Sequence, residues 1–81
     1  MENLTNQILE LGNGQKFFVL RQAAYKGNTY YLGAEITENE EEFTNNFTFF
    51  QRIEGEEGKF SVKVVKDETI LEVLSKNIKL D

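Results

Sequence analysis

Four closely spaced glutamates form the densest set of chemically active side chains in this sequence. Glu38, Glu40, Glu41 and Glu42 lie in an acidic stretch that spans residues 37–46. Carboxylate oxygens are the ligands that hard cations such as Ca²⁺ prefer, but the stretch has neither the spacing nor the glycine of an EF-hand loop. Side chains of adjacent glutamates tend to diverge into solvent. The stretch therefore predicts a solvated loop and no metal site.

Acid–base catalysis is the second chemistry that the glutamates could support. Paired carboxylates act as acid and base in glycosidases, but a working acid needs a pocket that raises its pKa. A chain of 81 residues buries only a thin core and seldom encloses such a pocket. Cysteine and histidine are absent, which excludes thiolate chemistry and the commonest general base. We predict a protein that is not an enzyme, with no catalytic residue and no cofactor.

The charge balance bears on partners and compartment. Fourteen acidic residues against nine basic ones give a net charge of −5, which repels nucleic-acid phosphates and anionic membrane surfaces. No segment approaches the roughly 20 apolar residues of a membrane span, and the first ten residues lack the basic end and apolar run of a signal peptide. A chain without cysteine suits a reducing compartment. We expect a cytoplasmic protein that does not bind membranes, and we consider nucleic acid an unlikely partner.

Apolar residues alternate with polar ones along five short segments, which is the pattern of β-strands. Glycine-bearing turns separate most of these segments, so sequential strands are expected to be antiparallel neighbours. The stretch 37–46 breaks the pattern and predicts a mobile loop of about ten residues. The predicted strands span residues 8–11, 16–25, 29–36, 47–54 and 59–66.

After residue 66 the apolar period changes from about two to about 3.6, which predicts a helix. Asp67 is a suitable N-cap and Glu68 suits the positive end of the helix dipole. The apolar stripe comprises Ile70, Leu71, Val73, Leu74 and Ile78, and Lys76 and Lys79 suit the negative end.

Together these elements predict an α+β fold: an antiparallel meander sheet of about five strands with one C-terminal helix packed on one face. We expect residues 1–6 to be a flexible N-terminus, because they are mostly polar, and residues 7–81 to form a single domain.

Several of these segments resemble the YrzB-like small proteins of Gram-positive bacteria, which form domain-of-unknown-function family 1292. The resemblance rests on Phe-Phe-Val-Leu at 17–20, on Tyr-Lys-Gly-Asn-Thr-Tyr-Tyr-Leu at 25–32, on the acidic stretch and on Gly-Glu-Glu-Gly at 55–58. It covers roughly residues 8–80. Family members usually carry acidic strings around a proline after the third strand, whereas this chain has no proline. The resemblance implies the same fold and a bacterial origin, and it assigns no catalytic or binding residue.

Apolar residues occur on both faces of the predicted strands, although one helix can cover only one face. In a sheet with one solvated face, apolar residues should occupy only every second position of each strand. Either the sheet curls strongly and covers its own second face, or that face is exposed and marks an interface. We therefore name, as the candidate interface, Phe18, Leu20, Tyr31, Phe50 and Val65.

The leading functional hypothesis is a small acidic interaction module that binds itself or another protein through its sheet face or edge. One alternative is an acidic, phage-type inhibitor that mimics nucleic acid, since size and charge permit that role. Another is a nucleic-acid binder that stacks bases on an aromatic sheet. That platform would comprise Tyr30, Tyr31, Phe47, Phe49, Phe50 and Phe60.

Overall fold

The computed structural model describes residues 3–77, which form five β-strands and one α-helix. The strands pair antiparallel in the order β1-β2-β3-β4-β5, so each lies beside the next one in the sequence. This confirms the predicted α+β meander with a C-terminal helix. The elements are β1 (Ile8–Glu10), β2 (Lys16–Tyr25), β3 (Asn28–Ile36), β4 (Phe43–Glu54), β5 (Phe60–Val64) and α1 (Glu68–Asn77).

The fourth strand begins earlier than the sequence predicts, at Phe43 rather than at residue 47. Phe43 pairs with Ile36, and the backbone N–H of Thr37 donates to the carbonyl of Glu42 at 2.8 Å, which closes a short turn. The prediction of a mobile loop over 37–46 is therefore wrong for its second half. Thr and Asn between the phenylalanines concealed the strand, because they are common in loops.

The helix covers one face of the sheet. Asp67 Oδ1 accepts hydrogen bonds from the backbone N–H groups of Thr69 at 2.9 Å and Ile70 at 3.2 Å, which confirms the predicted N-cap. Leu74 packs with Tyr30 and Leu32 of β3 in one buried cluster. The stripe residue Ile78 and Lys79 lie outside the described residues.

The other face is covered because the sheet curls into a half-barrel. Phe17 and Phe50 meet edge-on across it, with ring centroids 4.9 Å apart. Gly33 lies beneath this contact, where an added Cβ would be 3.1 Å from Phe17 Cβ and 3.1 Å from Phe50 Cε2. Leu9 from β1 and Val62 from β5 pack against the same cluster, so the first and last strands share one core.

The segment before β1 takes part in that core. Leu4 is buried, and its backbone N–H donates to Gln22 Oε1 at 2.9 Å. The N–H of Asn6 donates to the carbonyl of Val19 at 2.8 Å. These contacts differ from the flexible N-terminus expected over 1–6. Met1 and Glu2 lie outside the described residues.

Candidate interaction surface

The register of the strands places the five residues named as a candidate interface on two opposite faces of the sheet. Tyr31 and Phe50 are both 0% exposed and lie in the half-barrel core. Val65 is buried against the helix, and Leu20 packs against the same helix-side cluster. Phe18 is half-buried, and its ring meets that of the exposed Phe43. The five side chains do not form one surface, because Tyr31 and Phe50 project into the half-barrel. Phe18, Leu20 and Val65 lie on the helix side of the sheet.

The curl and the helix together remove the aromatic platform that base stacking would need. Tyr30, Tyr31 and Phe50 are buried, and Phe49 packs against the helix-side cluster. Phe47 is exposed on the helix side of the sheet, where it pairs with Ala34.

Phe60, the remaining member of that platform, is exposed on the opposite face. There its ring lies 3.9 Å from the guanidinium carbon of Arg52. Arg52 also donates to Glu54 Oε1 at 2.6 Å and to the Tyr31 hydroxyl at 3.1 Å. The hydrogen bond to Tyr31 and then that to Glu54 hold the pKa of Arg52 above its ordinary value. The Arg52 guanidinium therefore has its partners within the fold.

A row of apolar side chains crosses four strands on the helix side of the sheet. In register, Ile8 lies opposite Phe18, Phe18 lies opposite Ala34, and Ala34 lies opposite Phe47. Residues directly opposite each other in antiparallel strands project from the same face. Ile8 is 42% exposed and Phe47 is 55% exposed.

A second exposed phenylalanine adjoins this row. Phe43 pairs with Ile36, two residues along β3 from Ala34, and it is 56% exposed. Its ring meets that of Phe18 edge-on, with centroids 6.1 Å apart. We call Ile8, Phe18, Phe43 and Phe47 the apolar patch.

The apolar patch lies beyond the part of the sheet that the helix covers. Along β3, Tyr30, Leu32, Ala34 and Ile36 share one face, but the helix-side cluster contains only Tyr30 and Leu32 among them. Within residues 3–77, the helix therefore packs on the end of this face that holds Tyr30 and Leu32. Ala34 and Ile36, at the end that borders the apolar patch, are buried outside that cluster.

A bulge in β4 brings both phenylalanines to the patch. Residues 44–46 lie opposite the single residue Glu35, and Asn45 has a φ of 68°. Because two extra residues enter the strand, the alternation of faces is preserved between Phe43 and Phe47. The predicted interface omitted Phe43, Phe47 and Ile8. The spacing Phe-x-x-x-Phe-x-Phe at 43–49 was the available signal, because it places the three rings on one parity, but residues 37–46 were predicted as a loop.

Acidic residues border the apolar patch. Lys16, which pairs with Ile36, has its Nζ 2.9 Å from Glu40 Oε2 and 3.1 Å from the carbonyl oxygen of Glu38. The hydrogen bond to Glu40, with further attraction from Glu40, Glu10 and Glu38, raises the pKa of Lys16. Lys16 is therefore compensated within the rim.

The remaining rim acids are exposed. Glu41 and Glu42 immediately precede Phe43, and Glu10 lies opposite Lys16 in the β1–β2 ladder. The border of the apolar patch at the β3–β4 turn thus carries an excess of negative charge.

Catalytic and metal chemistry gain no support from the geometry. Within residues 3–77, no group of three or more acidic side chains is placed to hold a metal ion. Hydrogen bonds from Asn46 and Gln15, and then from Thr44, lower the pKa of Glu35. A general acid at neutral pH needs a shift in the opposite direction.

The open side of the half-barrel is a cleft of about 290 Å³ between the first and last strands. Its lining comes from residues 9–12 and 60–62.

In the described part of the chain, no helix is long and apolar enough to cross a membrane. No protein-family model, curated protein or solved structure matches this sequence.

Proposed function

We propose that this protein is a small, non-enzymatic interaction module that binds another protein through the apolar patch. The observation that carries the proposal is the exposure of Ile8, Phe43 and Phe47 on one sheet face, where the half-buried Phe18 pairs with Ile8 and contacts the ring of Phe43. Single exposed apolar residues are common, but contiguous ones usually mark an interface.

The chemistry of the apolar patch suits that role. Two phenylalanines supply apolar area. Full burial of an exposed Phe side chain is worth about 1.5–3 kcal/mol, and these two, which are about half exposed, would gain about half of that on binding. Phe18 contacts Phe43 edge-on, which restricts the motion of the Phe43 ring and lowers the entropy lost on binding. A few such anchors carry most of the binding energy in known interfaces.

The test is a quantitative pull-down from an extract of the source organism with tagged full-length chains. Phe47→Ser removes an exposed ring from the patch, and Phe60→Ser removes a ring that is also exposed but lies on the other face. We expect one or more proteins to be recovered with the unchanged chain and with Phe60→Ser, and to be lost with Phe47→Ser. Equal recovery with all three chains would contradict the proposal.

The same experiment separates the module from an acidic mimic of nucleic acid. A mimic binds through its carboxylates, so its partner would be a nucleic-acid-binding protein whose recovery does not depend on Phe47. Recovery that depends on Phe47 favours the interaction module.

We also propose kinship with the YrzB-like proteins and a cytoplasmic location. The support for the first is the pair of motifs at 17–20 and 25–32, and the support for the second is the absence of cysteine. Fractionation of cells that express a tagged chain tests the location.

A further inference from the structure

We infer that the occupant of the apolar patch is a basic amphipathic helix of a partner protein. This inference rests on the proposed function and names the partner's chemistry. It follows from the charge around the patch and from the layer that the patch leaves open.

The rim selects positive charge. Lys16 is already paired with Glu40, so the acids Glu10, Glu41 and Glu42 remain to be compensated at the patch border. Lysine or arginine beside the apolar residues of a partner would complement this rim and speed its association. A second copy of the chain carries the same net charge of −5, which opposes self-association through this face.

The open layer selects a helix. A sheet face is stably covered by a helix packed on it, and α1 already covers the neighbouring part of this face. A partner helix on Ile8, Phe18 and Phe47 would extend that helical layer. It would bury the apolar row across four strands.

Strand addition is the competing mode, because β5 pairs with β4 only as far as Phe50. The next backbone bond, from the N–H of Val65 to the carbonyl of Phe49, marks the end of that pairing. The remaining edge of β4 is interrupted by the bulge at residues 44–46, where Asn45 has a φ of 68°. A bulge breaks the regular order of outward N–H and C=O groups that an added strand needs.

The test uses three fluorescent peptides of about 14 residues, long enough to form a helix on a surface. The first is an amphipathic Leu/Lys helix, the second has Glu in place of Lys, and the third is a scrambled Leu/Lys sequence without an apolar face. Anisotropy reports binding to the full-length protein, and circular dichroism reports helix formation by the peptide. We expect the first peptide to bind at least about tenfold more tightly than the other two.

Matched variants locate the binding. Phe47→Ser should weaken binding of the Leu/Lys peptide about tenfold or more, and Phe60→Ser should leave it unchanged. The double variant Glu41→Gln/Glu42→Gln should weaken it about threefold or more. The control is Glu56→Gln/Glu57→Gln, which makes the same change of net charge in the exposed turn after β4. It should have little effect.

Salt dependence separates this inference from the proposed function. Binding should weaken about tenfold or more between about 50 mM and about 500 mM salt. If the natural partner from the pull-down depends on Phe47 but not on salt or on Glu41 and Glu42, the inference is overturned and the proposed function stands. If Phe47→Ser changes neither partner nor peptide binding, both are overturned.

Two other occupants would also overturn the inference. A dimer in sedimentation that Phe47→Ser dissociates would identify a second copy as the occupant. Tighter peptide binding by the full-length variant Ile78→Ser/Leu80→Ser would identify the chain's own residues 78–81. A monomer whose peptide affinity is unaffected by that variant supports the inference.

Discussion

Phe50 and Phe47 occupy the same strand three residues apart but play opposite parts. Phe50 is 0% exposed and packs edge-on against Phe17, whereas Phe47 belongs to the apolar patch. We expect Phe50→Ala to lower the free energy of unfolding by about 3–5 kcal/mol, because it leaves a cavity in the half-barrel core. Phe47→Ala should lower it by less than about 1 kcal/mol.

Urea denaturation followed by circular dichroism measures both variants of this pair. Equal losses of stability at Phe50 and Phe47 would show that the core and patch assignments are wrong. A small loss at Phe47 also establishes that the binding variants at this position remain folded. Binding that is lost in such a variant can then be attributed to the surface.

Residue types in the sequence indicated that Phe18, Tyr31 and Phe50 carry apolar surface, but not where that surface lies. Tyr31 and Phe50 were expected at an interface because an uncurled sheet has two faces and one helix. The curl brings Phe17 and Phe50 together over Gly33, where an added Cβ would be 3.1 Å from each residue. Such a contact joins strands that are distant in the sequence, so local patterning does not reveal it.

The elements themselves were largely predictable. The limits of β2 follow from two turns and a continuous apolar run, and the helix start follows from Asp67. The start of β4 was not predictable in the same way. Its first residues are Phe, Thr and Asn after a run of glutamates, and only pairing with β3 makes them a strand.

Glu35 ties the bulge of β4 to its neighbours. Its carboxylate accepts hydrogen bonds from Asn46 Nδ2 at 3.0 Å, Gln15 Nε2 at 3.2 Å and the Thr44 hydroxyl at 3.3 Å. Because these bonds favour the ionised form, they lower the pKa of Glu35 below its ordinary value of 4.5. The stabilisation is present above about pH 4.5 and is lost as the pH falls through the lowered pKa of the folded state.

We therefore expect Glu35→Gln to flatten part of the acid limb of the stability profile. Urea midpoints measured from about pH 6 down to about pH 3 should fall more steeply for the unchanged chain than for the variant. Glu57→Gln, a change of the same type at an exposed turn, should leave the slope as it is. Parallel profiles for Glu35→Gln and the unchanged chain would show that these hydrogen bonds do not hold in solution.

The molecule as a whole depends on closing a short sheet around its own second face. A chain of 81 residues has little core to spare, and the half-barrel core takes apolar groups from distant parts of the chain. Leu4, Leu9 and Val62 come from the N-terminal segment, the first strand and the last strand, yet they contact one cluster. The apolar patch lies on the opposite face from this core, outside the cluster that α1 joins within residues 3–77.

Because the core is small, the N-terminal segment is a structural part of the fold. Leu4 is 5% exposed, and the N–H of Val19 donates to the carbonyl of Gln7 at 2.8 Å, which fastens the segment to β2. Leu4→Ala should lower the free energy of unfolding by about 2–3 kcal/mol, because the cavity opens in a core shared by both outer strands. The change should also speed amide exchange in β1 and β5 together, since the two strands meet only through that core.

Gln7→Ala is the control, because its side chain is exposed and its backbone makes the same bond. It should leave both measurements near those of the unchanged chain. Unaltered stability and exchange in Leu4→Ala would mean that the half-barrel closes without its N-terminal segment, as the polar composition of residues 1–6 indicated.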